Sequence, residues 1–357
     1  MKRKLQGLIG LELPIIQAPM AGVQDSRLAI AVSGAGGLGS LPCAMLTADL
    51  VRAELQHIES ATDKPYNVNF FCHQTPDISA VREAKWREAL KPFYQEFDID
   101  PDAIAAGASR APFNHELADV LEDFRPAVVS FHFGLPDNAL VSRVKSIGAK
   151  ILSSATTVRE AQWLEANGAD IIVAQGIEAG GHRGTFLNGS IGNGTLSDVI
   201  STQMGTFALT PQIANKTNLP VIAAGGIADI RSIAAAMTLG AAGVQLGTTY
   251  LLCDEANTSK VHRAALSSTQ VLETALTNLF SGRPARSIVN RFIREFGPMS
   301  NLTPAFPMAS TATTPLRVNA EAMGSGDFSP LWCGQNASGC QSIGAAELTH
   351  RLAAAFI

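Results

Sequence analysis

Two glycine turns carry the first chemical signal. Val221-Ile222-Ala223-Ala224 runs straight into Gly225-Gly226-Ile227, and Val244-Gln245-Leu246 runs into Gly247-Thr248-Thr249. Glycine lets a backbone approach a ligand closely. Backbone N–H groups at paired strand ends then make a phosphate site, to which Thr248 adds a hydroxyl. Ordinary tight turns are the bland alternative; two such motifs in register favour phosphate. A third glycine-rich loop, Gln175 to Gly184, holds His182 between Gly180-Gly181 and Gly184. A lone histidine is usually structural, but one in a glycine loop can meet a bound ligand and act as a base near neutral pH.

Other polar residues end apolar runs. His132 closes Ser130-Phe131-His132-Phe133 and is as consistent with a hydrogen-bonded core histidine as with a substrate contact. Asn69 lies inside Tyr66-Asn67-Val68-Asn69-Phe70, and its amide needs a partner, either a ligand or a neighbouring loop. Gln17-Ala18-Pro19-Met20-Ala21-Gly22 offers a small, proline-fixed backbone against which a flat ring would fit. Gly34-Ala35-Gly36-Gly37-Leu38-Gly39 matches GxGxxG, with Glu59 downstream. A dinucleotide fingerprint must follow a strand and open a helix. Here Asp25-Ser26 is a good N-cap pair, so the glycines close a helix and enter a strand. The dinucleotide reading is rejected.

The elements that must position these residues alternate. β-rich runs cover Ile15-Pro19, Leu38-Leu41, Tyr66-Phe71, Val128-Phe133, Lys150-Ser154, Asp170-Gln175, Val221-Ala224 and Gly243-Leu246. Most are near-continuous apolar stretches, as strands buried on both faces should be. Helical periodicity lies between them, for example over Thr157 to Asn167 and Asp229 to Leu239. Eight strand–helix units predict an α/β fold, a (β/α)8 TIM barrel, with a smaller helical insertion and C-terminal subdomain. The expected division is 1–73 and 126–256 for the barrel, 74–125 and 257–315 for the helical subdomain, and 316–357 for a segment returning to the barrel. Helices are expected over Ala80 to Phe97, His115 to Phe124, Ser259 to Leu279 and Ala345 to Ala355, with an irregular wrap from Pro298 to Pro315.

Composition excludes several classes. With 46% hydrophobic residues and a net charge of −4 in 357 residues, the chain is neither disordered nor fibrous. No basic patch points to nucleic acid; the four arginines from Arg283 to Arg294 read as a solvated helix face. Five scattered cysteines without a CxxC read as reduced thiols in a cytoplasmic protein, and Cys72-His73 has no second pair for zinc, so no metal is expected. No secretory leader is expected, and no apolar run reaches the roughly 18 residues of a membrane span.

Taken together, Pro14 to Val23, Ala35 to Gly39, Ala174 to Gly184, Ala223 to Ile227 and Gln245 to Thr248 resemble the nitronate monooxygenases, formerly 2-nitropropane dioxygenases. The Ser329-Pro330-Leu331-Trp332-Cys333-Gly334-Gln335 stretch is similar to a late segment of the class I members. The resemblance implies FMN on a (β/α)8 barrel. Its phosphate would be held by Gly225, Gly226, Gln245, Leu246, Gly247 and Thr248. Asn69, Gln175, Gly180 and Gly181 would contact the flavin, and Met20, Ala21 and Gly22 would lie beside the isoalloxazine. His182 matches the family's catalytic base position, and His132 is a candidate substrate contact. The implied reaction is oxidative denitrification of an alkyl nitronate, such as propionate 3-nitronate, or of a nitroalkane, with O2, giving a carbonyl compound and nitrite. Two other readings stay open: an FMN-dependent NAD(P)H reductase for quinones or enoyl thioesters, and a non-catalytic flavin- or phosphate-binding protein. Whether the chain is a monomer or a homodimer is open too.

Overall fold

All eight expected strands form, with ends at most two residues from those expected. They are β1 (Ile15–Gln17), β2 (Gly39–Pro42), β3 (Tyr66–Phe71), β4 (Val128–His132), β5 (Lys150–Ala155), β6 (Ile171–Gln175), β8 (Val221–Ala224) and β9 (Gly243–Leu246). A two-residue strand, β7 (Gly181–His182), lies outside this sheet. The computed structural model describes residues 5–77, 79–104, 110–187 and 200–356. The strands pair in parallel in the order β1-β9-β8-β6-β5-β4-β3-β2. The ring closes where Leu38 donates to the Ile15 carbonyl at 2.8 Å and Gln17 donates to the Leu38 carbonyl at 2.9 Å. The architecture is therefore the expected (β/α)8 barrel.

The barrel's interior is layered by chemistry. Ile16, Leu38, Val128, Leu152, Ile171 and Ile222 fill one layer and pack on Leu5, Ile9 and Leu11 from the N-terminal segment. A polar layer joins β1, β2 and β3: Ser40 N–H donates to Gln17 Oε1 at 3.0 Å, and Asn67 Nδ2 donates to Ser40 Oγ at 2.9 Å. Gln17 Nε2 donates to Gln24 Oε1, which also accepts the Met20 N–H at 3.1 Å. This relay sets the path of the chain from Pro19 to Gln24, the segment read as a ring platform.

The GxGxxG stretch behaves as a helix stop. Asp25 caps the helix Ser26–Gly34, Gly36 takes φ +88, and β2 begins at Gly39. A Cβ on Gly39 would sit 2.0 Å from the Ala29 carbonyl oxygen, so helix and strand touch through this glycine. Glu59 lies in the helix Ala48–Ala61 and accepts the Tyr66 hydroxyl at 3.5 Å.

The insertion divides differently from the expected ranges. The helix His115–Phe124 packs Leu117, Val120 and Leu121 on Val51, Leu55 and Val129, so it is a barrel helix. The helix Ala80–Glu96 instead buries Trp86, Leu90, Phe93 and Tyr94 against Phe280, Phe292, Leu316 and Phe328 in a second core. The run Ser259 to Leu279 is not one helix. The helix Lys260–Leu266 ends there and strand β10 (Thr274–Thr277) follows, antiparallel to β11 (Ala285–Ile288), which also pairs with β7. The irregular wrap gives way to the helix Ala309–Ala322, which carries Pro315 inside it and crosses the 315/316 boundary. The helix Ala345–Ala353 returns to the barrel, packing Leu348 and Leu352 with Ile15, Leu28 and Val244.

The solvated-face reading of Arg283 to Arg294 is corrected in part. Arg286 is buried in β11 and donates to the Ile177 carbonyl at 3.0 Å, and Arg283 lies over the Phe133 ring at 3.9 Å. Arg291 does sit near the surface, paired with Glu96 and Glu295. No helix among the described residues is long and apolar enough to cross a membrane.

Candidate active site

The C-terminal ends of the strands surround a cavity of about 1220 Å³, its open mouth included. Barrel strands deliver polar side chains there because residues near their C-terminal ends, such as Asn69, His132, Gln175 and Gln245, lie at the mouth. Met20, Ala21, Asn69, His132, Gln175, Gly180, Gly181, His182, Gly225, Gly226, Gln245, Gly247 and Thr248 all line it. Two expected residues do not. Gly22 is exposed with φ +86, and Leu246 points away into the core shared with Ile15 and Val244. On β9 successive side chains alternate, so Gln245 and Leu246 face opposite ways.

His182 is held by its backbone and by one ring nitrogen. Gln175 Nε2 donates to the His182 carbonyl at 3.0 Å, while Gln175 Oε1 accepts the Gly184 N–H at 2.8 Å. The Gln175 amide therefore clamps the glycine-rich loop through both of its ends. The Arg183 guanidinium turns inward, donating to the carbonyls of Gly176 and Gln175 at 2.6 and 2.7 Å. The His182 ring lies among Phe306, Trp332, Phe71 and Phe133, with centroids 5.3 to 6.2 Å away. Its Nε2 is 2.9 Å from Ser281 Oγ. Burial lowers its pKa well below the ordinary histidine value, and Arg110, His132 and Arg283 act in the same direction. At neutral pH the ring is an unprotonated base.

His132 is engaged at both nitrogens. Nδ1 lies 2.6 Å from Ser154 Oγ and Nε2 lies 3.2 Å from the His182 carbonyl. A carbonyl only accepts, so Nε2 carries the proton and Ser154 donates to Nδ1. Burial first, then Arg283, drives its pKa to about 3. His132 thus offers the cavity a ring face rather than a free base, and it shores up the backbone of His182. Asn69 Nδ2 donates to Ser130 Oγ at 2.9 Å, which aims the amide along the cavity wall.

The opposite end of the cavity is a cradle of backbone. Gly225 and Gly226 adopt φ +113 and +71, which side-chain-bearing residues rarely do. The helix Ile230–Thr238 is capped by its own Asp229, and the helix Thr206–Lys216 by Glu178, which accepts the Thr206 N–H at 2.9 Å. The short turn Thr248–Tyr250 follows Gly247, which brings no side chain to cap it. Thr248 Oγ1 accepts the Gly334 N–H at 2.9 Å. Asn336 Nδ2 donates to the Gly226 carbonyl, tying the late segment across both turns. Gln245 Oε1 is buried at the wall without a protein hydrogen-bond partner. An acceptor without a donor, an uncapped turn and a cradle of positive-φ glycines fit a phosphorylated, hydrogen-bonding ring cofactor.

The electrostatics point the same way. Among the described residues the lining holds no carboxylate; its charged side chain is Arg110, joined by His132, His182 and His262. The Arg110 guanidinium and backbone N–H donors in such a wall favour anions. Sequence reasoning passed over Phe71, Arg110, Trp332, Asn336 and Ser281. Trp332 stood inside the quoted late segment, but nothing in the local pattern marks the others as site residues.

Against known proteins, the nitronate monooxygenase family model matches residues 2–354. A nitronate monooxygenase of Pseudomonas aeruginosa is 42% identical over 97% of this chain and 96% of its own length. A probable nitronate monooxygenase of Bacillus subtilis is 37% identical over 91% of this chain and 90% of its own. Among solved structures, a nitroalkane oxidase from Streptomyces ansochromogenes superposes with TM-score 0.87 at 37% identity, covering 98% and 97% of the two chains. FabK from Thermotoga maritima superposes with TM-score 0.71 at 26% identity, covering 99% and 95%. With one family spanning barrel, subdomain and late segment alike, this chain is a member of the nitronate monooxygenase family and an oxidoreductase.

Proposed function

We propose that this protein is an FMN-dependent nitronate monooxygenase that converts alkyl nitronates, such as propionate 3-nitronate, with O2 to a carbonyl compound and nitrite. The carrying observation is the site itself: an unprotonated His182 in an aromatic cavity whose described lining has no carboxylate. Such a wall accepts both a phosphate and a nitronate anion and repels neither. Gly225, Gly226, Gly247 and Thr248 would hold the phosphate, Gln245, Asn69, Gly180 and Gly181 the ring system, and Met20 and Ala21 would lie beside it. When bound, FMN supplies the electron-accepting and oxygen-reactive chemistry. His182 takes the proton from the carbon of a neutral nitroalkane; toward a preformed nitronate it serves in binding. Phe71, Phe133, Phe306 and Trp332 exclude water from the reacting carbon. Small apolar pockets discriminate chain length by only about 1–3 kcal/mol per methylene, so the substrate range should be broad. The protein is expected to work in the cytoplasm.

The test is a visible spectrum of the purified protein before and after anaerobic addition of an alkyl nitronate, followed by nitrite assay in air. Bound flavin whose oxidised absorbance falls with nitronate, and stoichiometric nitrite, support the reading. Flavin indifferent to nitronate but bleached by NADH would replace it with an NAD(P)H reductase. Failure to take up FMN would overturn the phosphate cradle.

A further inference from the structure

His182 and Ser281 meet across 99 residues of chain, and the way they meet decides which nitrogen of His182 is the base. Ser281 is buried in the turn between β10 and β11. That turn is pinned by Gly282 at φ +88, where an added Cβ would strike the Pro304 carbonyl at 2.2 Å. Three groups converge on Ser281 Oγ: His182 Nε2 at 2.9 Å, the Arg283 carbonyl oxygen at 3.3 Å and the Arg283 backbone N–H at 3.4 Å. A hydroxyl has one proton and two lone pairs. The Arg283 N–H only donates and its carbonyl only accepts. One allocation serves all three contacts. The hydroxyl proton goes to the carbonyl, and the lone pairs receive the Arg283 N–H and a proton on Nε2. The other tautomer would draw the hydroxyl proton to a bare Nε2 and take that donor from the carbonyl.

We propose that Ser281 is a positioning residue that holds His182 in the Nε2–H tautomer, so that Nδ1 is the nitrogen presented to substrate as the base. With a neutral nitroalkane, the carbon–hydrogen bond breaks and the proton goes to Nδ1. The electron pair stays on the carbon–nitrogen–oxygen system as the nitronate, and His182 becomes an imidazolium. Its Nε2–H already points at a Ser281 lone pair, so nothing rotates as the charge appears. The charged and titratable groups facing His182 are Arg110, Arg283, His73 and His132, all of which oppose the imidazolium. Ser281 supplies the acceptor that works against them. His132 does not compete for the role, because both of its nitrogens are engaged.

The first measurement is nitrogen NMR of histidine-labelled, flavin-loaded enzyme at neutral pH, the His182 signals identified by their loss in His182→Asn. A protonated Nε2 and a bare Nδ1 are expected. A protonated Nδ1, or a ring protonated at both nitrogens, would overturn the proposal. The second is the ratio of kcat/KM for a neutral nitroalkane to that for its nitronate. In Ser281→Ala this ratio should fall about ten- to a hundredfold, a part of what a general base contributes, and Ser281→Thr, which keeps the hydroxyl, should restore it. An unchanged ratio in Ser281→Ala would also overturn the proposal. If Ser281→Ala fails to fold, the wild-type spectrum decides alone. The activity arm rests on the nitronate reading. If the wild type turns over neither substrate, that reading fails while the spectrum still decides the tautomer.

Discussion

The proposed chemistry centres on His182, whose surroundings keep it neutral without tying up both nitrogens. A general base must be in its free form at the working pH. Burial, reinforced by Arg110, His132 and Arg283, ensures that here. Replacing it by asparagine preserves a polar group of similar reach and should leave FMN bound. It should also cut kcat/KM for a neutral nitroalkane about 10²–10⁴-fold, the span a positioned general base contributes. Steady-state rates on nitroethane and on its preformed nitronate check this, and equal losses on the two would remove His182 from the proton-transfer step. The depressed pKa carries a sign as well. Since the folded ring resists protonation below the ordinary value near 6.5, the rate on the neutral substrate should show no acid limb between pH 7 and 6. A limb centred near 6.5 would contradict the assignment.

Turns and caps, one level up, decide whether that chemistry has a cofactor to meet. Gly226 sits at φ +71 in the cavity lining, and an added Cβ would lie 3.5 Å from Glu178 Cβ, so a side chain there would be strained at the wall of the cradle. Gly226→Asp adds a carboxylate where a phosphate is expected, and like charges repel. The purified variant should carry little or no flavin while keeping its far-ultraviolet circular dichroism. Stoichiometric FMN in it would move the phosphate elsewhere. Gly39 is constrained for a different reason, the contact of β2 with the helix Ser26–Gly34 at Ala29. Gly39→Ala should destabilise the barrel by about 1–3 kcal/mol, the usual cost of overpacking, read from the urea midpoint. A wild-type midpoint would mean that helix and strand can part freely.

The whole molecule stores a pH dependence in its buried histidines. Burial lowers His132 to about 3, and His73 and His262 to about 4, against about 6.5 in an unfolded chain. Between about pH 6.5 and 4 the unfolded chain therefore binds more protons than the folded one. Stability is full above about 6.5 and falls as the solution is acidified, each histidine adding a slope of about 1.4 kcal/mol per pH unit. Urea midpoints from pH 7.5 to 4.5 test this; a midpoint constant across that range would mean that these rings gain protons without unfolding. Ligand linkage acts in the opposite direction. FMN at a hundredfold its dissociation constant should add about 2.7 kcal/mol.

The strands and the turns after them were legible in the chain because their signals are local. An apolar run such as Ile171 to Gln175 and a glycine pair such as Gly225-Gly226 state their conformation through near neighbours, and helix-to-strand polarity disposed of the GxGxxG match in the same way. His182 stood out by its glycine flanks. What its ring touches is another matter: Ser281 lies 99 residues away, and Phe71 and Phe306 come from β3 and from the subdomain. The arginines after residue 282 show the same limit. Their spacing reads as a wet helix, yet β11 pairs with β7 and buries Arg286 while Arg283 turns onto Phe133. The helices Ala80–Glu96 and His115–Phe124 lie in one insertion, but one joins the subdomain core and the other the barrel. Periodicity tells which face of a helix is apolar, whereas the partner for that face is chosen by chain closure over long separations. That choice belongs to the tertiary structure.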